Sequence, residues 1–293
     1  DAERAARRII EFLSDRTEND LVLMLISGGG SALLSFHDAP MTYADESELF
    51  KELTSRGAPI QDINIVRKHM SRARGGALAV AAYPAEVISL IASDVPDDDI
   101  GLVASGPTVL DSSTIDDAKV ILTKYDIAVP THIAFIETQK DEKYFKRVTN
   151  ILFLSNQDAL SAMNDEAVRL GYAATVANNH FTGEARDVGR AIAEKLHAST
   201  AKTALLYAGE SIVTLDANAG KGGRNQEMAL SVLDDIRDDE LMLPFASDGR
   251  DNTDHAGAIA DGATRAHARE KNLSAKEHLR AHRSYDFFTS SGD

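Results

Sequence analysis

The chain has 293 residues, of which 43% are hydrophobic and 26% charged, a globular composition that is long enough for two domains. Its formal net charge of −15 argues against nucleic-acid binding, which requires a basic surface. The sequence contains no run of about 18 apolar residues, so it predicts no membrane span. Residues 1–20 lack the apolar core of a signal peptide. Cysteine is absent, which excludes disulfides and thiolate chemistry and fits a reducing cytoplasm.

The first 200 residues alternate between helical patterns and short apolar strands. Residues 3–14 are amphipathic at helical spacing, and residues 21–26 form a continuous apolar run of strand length. Further strands are predicted over residues 86–92, 150–154 and 173–177. The other predicted helices cover residues 46–56, 71–82, 114–125, 158–170 and 184–198. This alternation predicts a parallel sheet covered on both faces, with ligands bound beyond the carboxyl ends of its strands.

The pattern changes near residue 200 and predicts a second, smaller α/β domain. Its predicted elements are strands over residues 203–208, 211–215 and 241–246, and a helix over residues 225–237. We therefore expect an α/β protein in which residues 1–199 form a Rossmann-like parallel-sheet domain and residues 200–293 form the second domain.

The clearest candidate ligand site is the turn Ser27-Gly28-Gly29-Gly30-Ser31, which follows the first strand. Glycines allow backbone N–H groups to approach an anion closely, and a following helix N-terminus adds attraction. The turn is not a dinucleotide fingerprint, because position 33 is Leu, and no Lys-Ser/Thr pair makes it a Walker A loop. Two interpretations stay open: a site for phosphate or carboxylate, or a tight strand-to-helix connection without a ligand.

A second candidate is the most positive segment of this acidic chain, where Asn64 precedes Arg67 and Lys68. Arginine binds carboxylates and phosphates through its planar fork, and lysine binds them as a point charge. The alternative is a solvated helix start. The turn Ala104-Ser105-Gly106-Pro107-Thr108 is a weaker candidate that offers hydroxyl groups and a glycine.

Acidic and basic residues near the other strand and helix ends complete the set. Asp94 follows a predicted strand, a position where a carboxylate suits Mg²⁺ or phosphate chemistry. Asp248 follows another predicted strand, in an acidic turn with Asp251 and Asp254 that could bind a metal or be a turn only. The segment Gly222-Gly223-Arg224-Asn225-Gln226-Glu227 combines glycines with a charged donor at a helix start, which favours an anion site.

Seven motifs occur in a specific order along nearly the whole chain. They are SGGGSALL, NIVRKHMSRARGGALA, SDVP, ASGPT, GEAR, GGRNQE and SDGRDNTDHAGAIADG. Together they resemble the glycerate 2-kinase family, whose members carry a glycerate kinase N-terminal domain and a C-terminal MOFRL domain. The resemblance implies ATP-dependent, Mg²⁺-assisted phosphorylation of D-glycerate to 2-phosphoglycerate in a cleft between two α/β domains.

On this resemblance we assign hypothetical roles. Arg224, Lys68 and Asp94 are the candidate catalytic residues; Arg224 would neutralise charge in the transition state, oriented by Asn225 and Glu227. Asp94 would orient Mg²⁺ or accept the hydroxyl proton, and Asp248 is the second candidate metal ligand. The candidate residues for binding substrate or phosphate are Ser27, Gly28, Gly29, Gly30, Ser31, Asn64, Arg67, Ser105, Gly106, Glu210, Asn225 and Glu227.

The sequence also departs from the family pattern. Family members continue beyond both ends of this sequence, so we expect a fragment, and Ala208-Gly209-Glu210-Ser211 stands where Gly-Gly-Glu-Thr is usual. One alternative function is an NAD(P)H-dependent hydroxypyruvate reductase, a label that family members have carried, but no dinucleotide fingerprint is present. The other is a non-catalytic paralogue that binds a sugar acid. The expected partners are D-glycerate and ATP, and a homodimer is a candidate assembly.

Overall fold

The computed structural model describes residues 1–93, 95, 98–215 and 219–292. The chain divides into two compact units, Asp1–Asn156 and Gln157–Asp293, and the predicted α/β class is confirmed. The domain boundary predicted at residue 200 falls inside the second unit. Within the described residues, no helix has the length and apolar character needed to cross a membrane.

The first unit is built around a three-stranded parallel sheet. Its strands are β1 (Leu21–Ile26), β2 (Glu86–Ala92) and β3 (Val148–Leu154), in the order β1-β2-β3. Its helices are α1 (Ala2–Ser14), α2 (Gly30–Leu33), α3 (Tyr43–Ser55), α4 (Ile60–Lys68), α5 (Ala77–Ala82) and α6 (Ile115–Lys124). Because the strands are parallel, their carboxyl ends meet at one edge, and the turn at residues 27–31 lies there.

The two faces of this sheet are covered differently. One face packs on α1 and α5 through small and branched side chains such as Ala6, Val22 and Val87. On the other face, Leu21, Leu23 and Leu25 of β1 are 62%, 60% and 77% exposed. The expectation of a sheet covered on both faces is therefore wrong for β1. A continuous apolar run does not distinguish a strand buried on both faces from one buried on a single face.

The helix predicted over residues 71–82 forms only in its second half, because α5 begins at Ala77. The basic residues Arg67 and Lys68 lie earlier, in the last turn of α4. Between α4 and α5, Gly75 and Gly76 have φ values of 54° and 84°, which interrupt a helix. By contrast α3 and α6 agree with prediction, and capping boxes at Thr42 and Thr114 fix where they begin.

The second unit contains a parallel pair of strands, a short antiparallel pair and a group of helices. Its strands are β4 (Ala173–Glu184), β5 (Thr203–Ile212), β6 (Leu241–Met242) and β7 (Ala260–Asp261). Its helices are α7 (Asn156–Arg169), α8 (Ala185–His197), α9 (Arg224–Val232), α10 (Gly262–Glu270), α11 (Ala275–Arg280) and α12 (Ser284–Ser291). The core lies between α8, α9 and α12, where Ala185, Met228 and Phe287 are fully buried.

The strand β5 corrects the prediction of two short strands separated at Gly209. The structure has one continuous strand through this glycine. A Cβ atom at Gly209 would lie 2.2 Å from the Phe181 carbonyl oxygen of β4, so the close approach of the neighbouring strand requires glycine. From the sequence, Gly209 predicts an interruption between two strands. In the structure it lies within β5 and allows β4 to pack closely against it.

Candidate active site

The glycine-rich turn at residues 27–31 connects β1 to the four-residue helix α2. Gly29 has a φ of 74°, which the absence of a side chain permits. A Cβ atom at Gly30 would lie 2.6 Å from Cβ of Ala104, so this turn packs directly on the turn at residues 103–106. The structure thus brings together two of the turns that the sequence identified separately.

A chain of side-chain hydrogen bonds joins three predicted site residues. Ser31 Oγ lies 2.9 Å from Ser105 Oγ, and Ser105 Oγ donates to Asn64 Oδ1 at 2.6 Å. The Asn64 amide group in turn donates to the Ile60 carbonyl oxygen at 3.1 Å. Because the Ser105 proton is used on Asn64, Ser31 must donate to Ser105, and the lone pairs of Ser31 Oγ are available to accept a hydrogen bond.

Backbone strain accompanies this contact. Ala104, Ser105 and Gly106 are consecutive residues with φ values of 52°, 59° and 60°. For the two residues with a side chain, this left-handed conformation costs about 1–2 kcal/mol each. The carbonyl oxygens of Ser105 and Gly106 accept hydrogen bonds from Gly75 and Gly76, at 3.0 and 2.8 Å, which hold the strained turn in place. Strain of this kind is concentrated at functional sites.

Buried charges lie against the same turn. Arg74 donates to Glu46 Oε1 at 2.6 Å and to the Ser31 carbonyl oxygen at 2.6 Å. Arg67 donates to Glu46 Oε1 at 3.0 Å and also to the Ser31 carbonyl oxygen. Burial alone would raise the pKa of Glu46, but the hydrogen bond from His37 and the charges of Arg74 and Arg67 hold it well below its usual range.

Lys68 is bound to another buried carboxylate. Its Nζ lies 3.2 Å from Asp111 Oδ1, and Asp111 also accepts from Ser113 Oγ and Thr138 Oγ1 at 2.8 and 3.0 Å. Burial opposes ionisation of Asp111, yet the Lys68 charge and these hydrogen bonds keep its pKa below the ordinary value. The predicted catalytic lysine is therefore fixed by a residue that the sequence did not identify.

In the second unit, the structure pairs Arg224 with Glu210. Arg224 Nη1 lies 2.5 Å from Glu210 Oε1 and 3.3 Å from the Ser211 carbonyl oxygen. The two side chains are 45% and 67% exposed. The guanidinium group of Arg224 is thus accessible at the surface of this unit, at the first residue of α9.

The start of α9 differs from the anion site that the sequence predicts. The buried Asp251 carboxylate accepts from the backbone N–H groups of Asn225 and Gln226, at 3.0 and 2.7 Å, and from Asn225 Nδ2 at 3.0 Å. A Cβ atom at Gly223 would lie 1.9 Å from the Asp251 carbonyl oxygen, so the glycine is needed for this packing. The helix N-terminus already binds an anion, which is the chain's own carboxylate.

Glu227 also takes a different role from the one expected. It was expected to orient Arg224, but its Oε1 accepts from Arg186 Nε at 2.7 Å and lies 3.1 Å from His282 Nδ1. The side chain points into the core because residue 227 lies one turn along α9, on the face that packs on α8 and α11. Glu210, not Glu227, is the carboxylate that binds Arg224.

The two candidate metal ligands are placed unequally. Asp94 lies outside the described residues. Asp248 is exposed, and its Oδ1 accepts from the Arg250 N–H at 3.0 Å. Over the described ranges there is no cluster of three or more His, Asp or Glu residues that could hold a metal ion. A single exposed carboxylate fits Mg²⁺ that keeps its waters and binds phosphate oxygens.

Comparison with known proteins gives relatives over nearly the whole chain. A domain of unknown function (DUF4147) matches residues 1–136, and the MOFRL family matches residues 203–293. A glycerate 2-kinase of Pyrococcus horikoshii is 39% identical, over 96% of this chain and 68% of that protein. A D-glycerate 2-kinase of Thermotoga maritima is 34% identical, over 99% of this chain and 72% of that protein. The crystal structure of a glycerate kinase from Thermotoga maritima matches with a TM-score of 0.83 and 32% identity, covering 99% and 72% of the two chains.

Proposed function

The chain belongs to the glycerate 2-kinase family, and we propose that it phosphorylates D-glycerate at the 2-hydroxyl group with ATP. The hydroxyl oxygen forms a bond to the γ-phosphorus, and the bond from that phosphorus to the bridging oxygen of ADP breaks. The hydroxyl proton leaves to a base, for which Asp94 is the candidate from the sequence. The products are 2-phosphoglycerate and ADP.

The observation that carries this proposal is the hydrogen-bond chain from Ser31 through Ser105 to Asn64. Since Ser31 Oγ has lone pairs to offer, it accepts from a donor such as a glycerate hydroxyl group and not from a phosphate oxygen. The backbone N–H groups of residues 28–30 are donors, and they suit the glycerate carboxylate or an ATP phosphate. A hydroxy acid presents both kinds of group at once.

Charged residues would serve the phosphoryl group. Asp111 takes one of the three donors of Lys68 Nζ, and we assign the others to the transferring phosphoryl group. Arg224 would neutralise charge that develops in the transition state, since phosphoryl transfer depends on positioning and electrostatics. Mg²⁺ held by Asp248 or Asp94 would neutralise charge on the phosphate oxygens.

Three assays separate this function from its alternatives. A kinase consumes ATP when D-glycerate is added, in a coupled assay of ADP release. A reductase would oxidise NADH with hydroxypyruvate and ignore ATP. A non-catalytic paralogue would bind D-glycerate in calorimetry without ATP turnover. ATP consumption that depends on D-glycerate is the expected result, and NADH oxidation would overturn the proposal. A cytoplasmic location and a homodimer stay predictions from sequence.

A further inference from the structure

We propose that Glu46 is a positioning residue for the turn at residues 27–31, acting through Arg67 and Arg74, which it holds against the Ser31 carbonyl group. Its effect on catalysis rests on the proposed function, because that function places the substrate at this turn. The contacts that hold the turn do not depend on which reaction the protein catalyses.

Protein side chains occupy both carboxylate oxygens of Glu46, so no oxygen is left to bind a ligand. It lies in the first turn of α3 with 2% of its side chain exposed. Its Oε1 accepts from Arg74 Nη1 and Arg67 Nε, and its Oε2 accepts from Ser35 Oγ at 2.6 Å and lies 2.8 Å from His37 Nε2. A carboxylate with four such partners acts through those partners.

The two guanidinium groups converge on one backbone oxygen. Both donate to the Ser31 carbonyl oxygen, and Arg74 Nε also donates to the Leu34 carbonyl oxygen at 3.0 Å. A turn that binds an anion must keep its carbonyl oxygens away from the ligand, because each carries partial negative charge. Two charged donors on Ser31 fix that peptide group with its oxygen turned inward, on the arginine side of the turn.

Two buried cations at one acceptor would repel each other without a compensating charge. Burial lowers the pKa of the Arg74 guanidinium, and the Glu46 carboxylate opposes that shift. Glu46 accepts from both arginines through a single oxygen, so it fixes their spacing as well as balancing one of their charges. Arg67 is further constrained because its guanidinium lies 5.1 Å from the centre of the Phe50 ring.

The test uses Glu46→Gln in the intact protein, with hydrogen–deuterium exchange of peptides over residues 27–36 and steady-state kinetics. Gln keeps the shape of Glu but loses the charge that holds both arginines. We expect exchange within residues 27–34 to accelerate about tenfold or more. We expect kcat/KM for D-glycerate to fall about 10- to 100-fold, because misplacement of a binding group by about 1 Å slows catalysis by up to that factor.

Arg74→Lys is the second variant, in case loss of the buried charge prevents folding. Lysine keeps the positive charge beside Glu46, but its single nitrogen cannot reproduce the three fixed bonds to Glu46, Ser31 and Leu34. It should loosen the same peptides. The matched control is Glu240→Gln, which breaks a carboxylate–histidine pair with His197 at 2.8 Å in the second unit. That change should leave both the exchange at residues 27–34 and the kinetics unaltered.

The outcomes are distinct. Wild-type exchange at residues 27–34 with wild-type kcat/KM in a folded variant would overturn the inference, as would uniform loosening of both units. Local loosening in both variants supports it. If the wild-type protein does not phosphorylate D-glycerate and the variants still loosen only this turn, the proposed function fails while the positioning of the turn stands.

Discussion

Glu46 in the first unit and Asp251 in the second unit are buried carboxylates that bind different kinds of donor. In the first unit, Glu46 binds arginine side chains and directs them to a turn, and only 12% of the Arg67 side chain is exposed. In the second unit, Asp251 binds backbone N–H groups at the start of α9, and Arg224, the first residue of that helix, is 45% exposed. The first arrangement fixes the turn at residues 27–31, and the second leaves the Arg224 guanidinium group exposed. An arginine whose side chain is exposed can bind a substrate, whereas a buried arginine with several protein partners stabilises the fold. The exposed fraction of the side chain is therefore more informative than its place in a motif.

The largest effect is expected for Arg224→Ala. If Arg224 acts on the reacting phosphoryl group, kcat should fall between about 100- and 1000-fold. The thermal midpoint should hardly change, because the Arg224–Glu210 pair is exposed. The matched control is Arg169→Ala, which removes an exposed arginine paired with Glu166 at 2.5 Å in the same unit. Turnover equal to wild type in Arg224→Ala would remove this residue from the mechanism.

Asp251→Ala tests whether the Asp251 carboxylate stabilises the fold by capping α9. Loss of the acceptor leaves the N–H groups of Asn225 and Gln226 unpaired, and the free energy of unfolding should fall by about 2 kcal/mol. Urea denaturation followed by circular dichroism measures the change. Asp254→Ala, at an exposed neighbouring acid, should shift stability by less than about 0.5 kcal/mol. Equal effects of the two changes would contradict a capping role.

Ser31→Ala tests whether the turn of the first unit binds D-glycerate. The change removes the proposed acceptor for a glycerate hydroxyl group and should raise KM for D-glycerate about tenfold, the value of one hydrogen bond. KM for ATP should stay near the wild-type value. Ser55→Ala, which removes a hydroxyl that donates to the Glu52 carbonyl oxygen on the surface of α3, is the control. A rise in KM for ATP alone would place the nucleotide, and not glycerate, at Ser31.

The smallest effect is expected for Glu210→Gln. An exposed ion pair contributes little, so stability should stay within about 0.5 kcal/mol and kcat within about threefold of wild type. Differential scanning calorimetry and the coupled assay measure the two values. A tenfold loss of activity would mean that Glu210 contacts the substrate itself, as the sequence interpretation first assigned it.

Much of the fold could be predicted from the sequence because short apolar runs bounded by turn residues identify strands. The bounds of β1 and β2 agree with prediction for this reason. The continuity of β5 could not be predicted, because it depends on how closely Phe181 of β4 approaches Gly209. The interruption between α4 and α5 likewise depends on hydrogen bonds from Gly75 and Gly76 to a distant turn.

The site was predictable one motif at a time, but its connections were not. Ser31 and Ser105 are 74 residues apart, and only the fold shows that they share a hydrogen bond. Glu46 and Asp111 were not identified from the sequence, and Asp251 was identified only as part of an acidic turn, because an acid in a helix or a turn ordinarily lies at the surface. Their burial depends on cations and N–H groups supplied by other segments, and no local pattern records that.

Phosphorylation of D-glycerate at the 2-hydroxyl group is measured most directly by ³¹P NMR of the protein mixed with ATP, Mg²⁺ and D-glycerate. We expect equal amounts of ADP and 2-phosphoglycerate, with the phosphate resonance coupled to the proton on C2. Arg224→Ala should slow the appearance of this resonance far more than Arg169→Ala does. Formation of 3-phosphoglycerate, or an ATP spectrum unchanged by D-glycerate, would contradict phosphorylation at the 2-hydroxyl group.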